Sequence, residues 1–161
     1  MSATEDASCA CLVIGIGNPD RGDDGVGGVV ARRIRARSYP GVSVMEQTGQ
    51  AADLIGVWQA LNPSKVYVVD AMSSGAAPGT IRRFDVQDAP LPAAFRSGTS
   101  THDLGLVQAV ELARVLGCLP PRVIVYGIEG QCFDLGAALS AEVEAAALQT
   151  AEQIIQEIRQ P

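Results

Sequence analysis

The chain has 161 residues, 47% of them hydrophobic, a formal net charge of −6 and a single histidine. That length suits one domain with room for a core. The acidic balance excludes a basic nucleic-acid stripe, since the densest basic group (Arg32, Arg33, Arg35 and Arg37) sits on one predicted helix. No apolar run approaches the roughly 20 residues of a membrane span, and the start, MSATEDAS, is polar and acidic where a signal peptide is basic and then apolar. A cytoplasmic protein is expected, one domain over 1–161 with residues 1–10 flexible.

Cys11–Ile16 is a continuous apolar run and reads as a buried strand. It runs into GIGNPDRGDDGVGG (15–28), which holds six glycines and leads to a helix over Val26–Arg37 with its arginines outward. A second strand follows at 42–46 and a second helix at 52–61, ended by Asn-Pro-Ser. KVYVVDA (65–71) reads as a central strand, 73–79 as a loop, and 80–85, which alternates and carries two arginines, as an edge strand. Residues 87–98 are expected to be irregular and mobile. A third helix is predicted at 104–116, a buried strand at 123–128 and a long helix at 140–159, with Glu142 and Glu144 in the first turn where the dipole favours them. Apolar strands alternating with helices imply an α/β sheet covered on both faces. Such sheets place their sites at the carboxyl ends of the strands, where the strand order reverses, here just after Ile16, Glu46, Ala71 and Ile128.

The four cysteines (Cys9, Cys11, Cys118 and Cys132) form a CxC and two isolated thiols, which is not a zinc-binding spacing. Cys11 and Cys118 are expected to be buried small hydrophobes and Cys132 a loop thiol, none in a disulfide.

A glycine-rich turn between strand and helix invites a phosphate. Gly15 and Gly17 supply G-x-G, but Asp20 fills the slot of the third glycine, no P-loop Lys-Ser/Thr follows, and the acids would repel a pyrophosphate. A nucleotide-binding module is therefore the weaker alternative, and a serine hydrolase is weaker still, with no G-x-S-x-G elbow. Three polar residues fall near the predicted edges. Asp24 follows the first strand, Asp70 ends the third, and His102, the only histidine, lies in STHDLGL. Ser100 and Asp103 match a capping box, which puts His102 in the first turn of the third helix, where the positive helix end favours a neutral imidazole. Two carboxylates and an imidazole form an N/O ligand set for zinc or nickel and a minimal kit for metal-assisted hydrolysis. Each also has an ordinary structural reading: Asp24 as a helix cap, Asp70 bonded to loop amides, His102 as a helix-start residue. Asp23 is expected to be solvated or paired with Arg21.

GIGNPDRGDDGVG, VDAMSSGAAPG (69–79) and STHDLGL together resemble, in that order, the three signature segments of the hydrogenase maturation endopeptidases. The resemblance implies a three-layer α/β/α sandwich around a five-stranded mixed sheet of order 2-1-3-5-4 with strand 4 antiparallel. It implies an aspartyl-type, nickel-directed endopeptidase that clips the C-terminal extension of a [NiFe]-hydrogenase large-subunit precursor after nickel insertion. Asp24, Asp70 and His102 fall on the family's metal-contacting and catalytic positions. The nickel is carried by the substrate, so the free enzyme is expected to be metal-free, with zinc or cadmium able to stand in at the site; a monomer is also expected. A non-catalytic metal-binding maturation factor using the same trio is the alternative. One segment departs from the family: many relatives carry Asp-Gly-Gly after the second strand, where this chain has EQTGQ (46–50). Gln47, Thr48 and Gly49 are the expected substrate-tail contacts there, and the departure leaves the particular hydrogenase open.

Overall fold

The computed structural model describes residues 10–95 and 104–160. Five strands, β1 (Cys11–Ile16), β2 (Val42–Gln47), β3 (Lys65–Met72), β4 (Ile81–Asp85) and β5 (Arg122–Glu129), form one sheet in the order β2-β1-β3-β5-β4. All neighbours pair in parallel except β4 and β5, which are antiparallel. Four α-helices lie among the described residues: α1 (Val26–Arg37), α2 (Ala51–Leu61), α3 (Leu106–Leu116) and α4 (Ala141–Arg159). None of the described helices is long and apolar enough to cross a membrane.

The strand pattern explains the layers. The central strands β1, β3 and β5 are almost wholly buried, as sheets covered on both faces require. Alternate side chains feed two separate cores. Leu12, Ile14, Val66, Val68, Val123 and Val125 pack with α2 and α3 on one face, while Val13, Tyr67, Val69, Ile124 and Tyr126 pack with α1 and α4 on the other. With α1 and α2 on opposite faces, the chain leaves β1 towards β2 over one side and returns to β3 over the other. The strand order reverses between β1 and β3, and this is the crevice where such sheets bind ligands.

Two glycines decide how closely α1 approaches. A Cβ on Gly15 would lie 2.2 Å from the carbonyl oxygen of Gly27, and one on Gly27 would lie 2.4 Å from the carbonyl oxygens of both Ile16 and Val69. The helix therefore meets β1 and β3 backbone to backbone.

At the far end of the sheet, Glu157 on α4 accepts hydrogen bonds from Arg83 Nε at 2.7 Å and from the Tyr126 hydroxyl. Burial alone would raise the Glu157 carboxyl, but Arg83 and Tyr126 outweigh it and hold it below the ordinary range. Burial, then Glu157, pushes the Tyr67 and Tyr126 hydroxyls well above theirs. A depressed carboxyl contributes stability that is complete above its unfolded value, near 4.5, and is lost as pH falls through the folded value. Urea unfolding across acidic pH is expected to show wild-type stability falling below that value, with a shallower fall in Glu157→Gln; parallel curves would remove Glu157 from the acid response.

Three expectations are corrected. The described part of the stretch expected to be mobile, up to Phe95, is anchored. Leu91 and Phe95 are buried, Ser73 N–H donates to the Ala94 carbonyl at 2.8 Å, and the Gln87 side chain joins the Pro120 carbonyl to the Val123 N–H. Helix α3 starts at Leu106 with Gly105 as its N-cap, and Gln108 Oε1 accepts the Gly105 N–H at 3.0 Å. Ser100, His102 and Asp103, and with them the predicted capping box, lie outside the described residues. Cys11 and Cys118 are partly rather than fully buried, whereas Cys132 lies in the loop after β5 as expected.

Candidate active site

The site is built at the carboxyl ends of β1 and β3. After Ile16 the chain bends at Gly17, whose φ is +140°; a Cβ there would sit 1.7 Å from the Asp24 carbonyl oxygen, so only glycine fits. A short 3₁₀ turn, Gly22–Gly25, then brings Asp23 and Asp24 back over the sheet edge, packed against β3. Asp24 is half-buried, and its Oδ2 accepts the Asn18 N–H at 2.9 Å, which fixes the carboxylate relative to the turn. Asp70 is fully buried on β3. Gly15 pairs with Val69, so Asp70 stands level with the end of β1, and its other neighbour in register is Gly127. Its alternation with Val68 and Met72 places it on the α2–α3 side of the sheet. Asp24 and Asp70 thus come to one edge from elements far apart in sequence. His102 lies outside the described residues. Among the described residues, no three His, Cys, Asp or Glu side chains converge as a metal centre.

Asp23 overturns its expected reading. It is fully buried rather than solvated. Its carboxylate accepts the N–H groups of Gln131 (2.7 Å), Cys132 (3.0 Å) and Ser140 (2.7 Å), and the Ser140 hydroxyl at 2.6 Å. Burial by itself would raise this carboxyl, but the Ser140 hydroxyl and the three N–H groups together hold it below its ordinary value. Ser140 is the N-cap residue of α4, yet its hydroxyl goes to Asp23 rather than to its own helix. Asp23 therefore ties the 3₁₀ turn to the loop after β5 and to the positive end of α4. It positions its neighbour Asp24 from behind.

Glu129, at the end of β5, is a second buried carboxylate that sequence reasoning passed over. It accepts the N–H groups of Ser74 (2.8 Å) and Gly75 (3.0 Å) and the Ser74 hydroxyl (2.6 Å), anchoring the loop after β3 beside the site. Its signal was a charged residue closing an apolar strand, the same signal that marked Asp70.

The expected tail contacts lie along the same edge. Gly17 N–H donates to the Gln47 carbonyl at 3.0 Å, Thr48 is exposed, and Gly49 is buried with a φ of +93°. Glu46 is engaged elsewhere, paired with Arg32 and Arg35 of α1. The arrangement offers two carboxylates at the mouth of a crevice, held by a rigid turn: oxygen ligands for a cation and bases for a water.

The family model for hydrogenase maturation proteases, HycI, matches residues 29–157. A Methanocaldococcus jannaschii relative assigned to the hydrogenase maturation proteases is 30% identical over 152 residues, covering 92% of this chain and 96% of the relative. The hydrogenase 2 maturation protease of Escherichia coli is 26% identical over 154 residues, covering 92% and 90%. Among solved structures, the hydrogenase maturating endopeptidase HybD of E. coli superposes with a TM-score of 0.76 at 25% identity, covering 92% of this chain and 91% of that one. HycI of Thermococcus kodakarensis shares the fold, with a TM-score of 0.73 at 24% identity and 94% coverage of each chain. The chain belongs to the hydrogenase maturation protease family and is a peptidase.

Proposed function

We propose that this peptidase acts in the cytoplasm on the large-subunit precursor of a [NiFe]-hydrogenase and removes its C-terminal extension once nickel has been inserted. The observation that supports the reading is that the turn that bears Asp24 packs against β3, the strand that bears Asp70, at the strand-order reversal. Glycines and acids in that turn suit a cation and an incoming backbone, and disfavour a phosphate. The nickel belongs to the substrate, so the free enzyme is metal-free, and zinc or cadmium added to it would compete for the same carboxylates and His102.

In this reading Asp24, Asp70 and His102 take hold of the nickel already seated in the precursor, and that contact brings the scissile bond to the site. A carboxylate accepts a proton from water as the water attacks the peptide carbonyl; the C–N bond breaks, leaving a new C-terminal carboxylate and a released peptide. Selectivity for loaded precursor follows, because without nickel the trio has nothing to grip.

The test is intact-mass spectrometry of the host's precursor, nickel-loaded and nickel-free, after incubation with sub-stoichiometric protein. Loss of a C-terminal peptide from the loaded form alone, over many turnovers, is expected. Stoichiometric binding without cleavage would favour a non-catalytic maturation factor, and equal cleavage of both forms would remove nickel from the mechanism.

A further inference from the structure

A pocket at the other end of the sheet plays no part in the reaction. It has a volume of about 270 Å³ and is lined by Lys65, Arg83, Arg122, Glu157 and Gln160. Lys65 and Arg122 are the first residues of β3 and β5, so the pocket lies at the amino ends of these strands, opposite the edge where Asp24 and Asp70 stand. Alternation puts Lys65 on the face of Tyr67 and Arg122 on the face of Ile124, and Arg83 pairs with Tyr126 on the same side, which α4 covers. Three cations from three strands therefore gather beside the last turn of α4. This happens in a chain whose net charge is −6 and whose only lysine is Lys65.

Two of the three cations lack a close carboxylate. Arg83 is engaged by Glu157, with Nε 2.7 Å and Nη2 3.1 Å from its two oxygens. Arg122 faces only Asp85, at 3.9 Å, too far for a hydrogen bond. Lys65 forms no ion pair among the described residues; its ammonium lies over the Tyr67 ring, 4.9 Å from the centre. The second observation is the register. Lys65 pairs directly with Arg122 across β3 and β5. Neighbouring strands lie about 4.8 Å apart, and like charges side by side on one face of a sheet repel. An anion seated between the two would turn that repulsion into two attractions.

We propose that this pocket binds a phosphate group, free or on a small ester, between Lys65 and Arg122. The cavity, about 270 Å³, falls just below the roughly 300–1,000 Å³ of sites that enclose drug-sized ligands, and every lining side chain ends in a charge or an amide, so the ligand is small and polar. A guanidinium fork matches two oxygens of a phosphate, and an ammonium meets a third as a point charge. Glu157 is the one carboxylate in the lining, and Arg83 already holds both of its oxygens. A bound anion would tie the first residues of β3 and β5 together at the end of α4, and would stabilise the fold by mass action.

The probe is inorganic phosphate, titrated calorimetrically into the full chain at constant ionic strength with chloride as the compensating anion. Wild type is expected to bind one phosphate saturably, and its Tm to rise with phosphate concentration. Lys65→Met and Arg122→Gln are each expected to weaken binding about tenfold or more, because each removes a charged partner. Lys65→Arg keeps the charge and is expected to retain most of the binding. The control Arg33→Gln removes an exposed cation of α1 outside the pocket and is expected to bind as wild type. In chloride alone Lys65→Met and Arg122→Gln are expected to melt no lower than wild type, since each relieves the repulsion between the paired cations, so a loss of binding is read apart from a loss of fold. Adenosine monophosphate is the second probe: binding at least as tight as that of phosphate assigns the site to an ester, and binding of phosphate alone assigns it to the free anion. The absence of saturable binding of both probes to wild type would overturn the proposal, and that titration decides even where a variant melts early. Binding that survives undiminished in both Lys65→Met and Arg122→Gln would overturn it as well.

Discussion

Asp70→Asn is expected to abolish processing of a nickel-loaded precursor while leaving the fold intact. Asp70 is fully buried at the end of a central strand, between the end of β1 and Gly127 of β5. Asparagine has the same shape and asks less of a buried position than an ionised carboxylate does, so the sheet has no reason to rearrange. What the substitution removes is the negative charge, and with it both the stronger grip on a cation and the ability to accept a proton. Losses of roughly a thousandfold or more are typical when a group acting directly on the charge of a reaction is neutralised. Intact-mass kinetics on loaded precursor, read beside a thermal melt, check both halves. Full activity in Asp70→Asn would remove this carboxylate from the mechanism, and a large loss of stability would reassign it to structure.

Asp23→Ala is expected to be the most destabilising single change at this end of the molecule. It would strip the partner from three backbone N–H groups and the Ser140 hydroxyl at once. Those donors sit at a partly buried junction of the 3₁₀ turn, the loop after β5 and the start of α4. Removing one partner from such a charged network costs about 3–5 kcal/mol, which corresponds to a fall in Tm of about 10 °C for a chain of this size. Asp24→Asn, one residue away, is expected to do the opposite: little change in Tm and a large loss of activity. Urea unfolding and precursor cleavage on the two variants separate the roles. An Asp23→Ala protein within about 1 kcal/mol of wild type would show that the junction is held by other contacts.

The contrast between those neighbours marks how far the sequence can be read. An Asp-Asp pair in a glycine-rich turn announces a charged site, but which member faces inward is a matter of the turn's rotation. That rotation is set by Gly17, Gly22 and by donors at Gln131, Cys132 and Ser140, all more than 100 positions away. No local pattern records such a partner. The same limit applies to Glu129, whose bonds to the Ser74–Gly75 backbone span more than 50 positions, and to Leu91 and Phe95, which looked like parts of a polar, proline-rich connection until the core on the α2–α3 face gathered them in.

What the sequence determined by itself was local and periodic. β1 and α1 begin and end where the apolar run and the arginine-studded period place them, and the remaining strands and helices lie within a residue or two of their expected bounds, because burial on both faces leaves a central strand no polar positions. The motifs, through the resemblance they carry, also foretold the mixed sheet and its order. Tertiary structure alone decided which polar groups come together: Asp24 and Asp70 at one edge of the sheet, the Asp23 junction, and the start of α3 at Leu106. Hydrophobic periodicity is written along the chain, one residue after another. A buried hydrogen bond is specified by two segments that only the folded sheet brings together, so its partners become legible only once that sheet has formed.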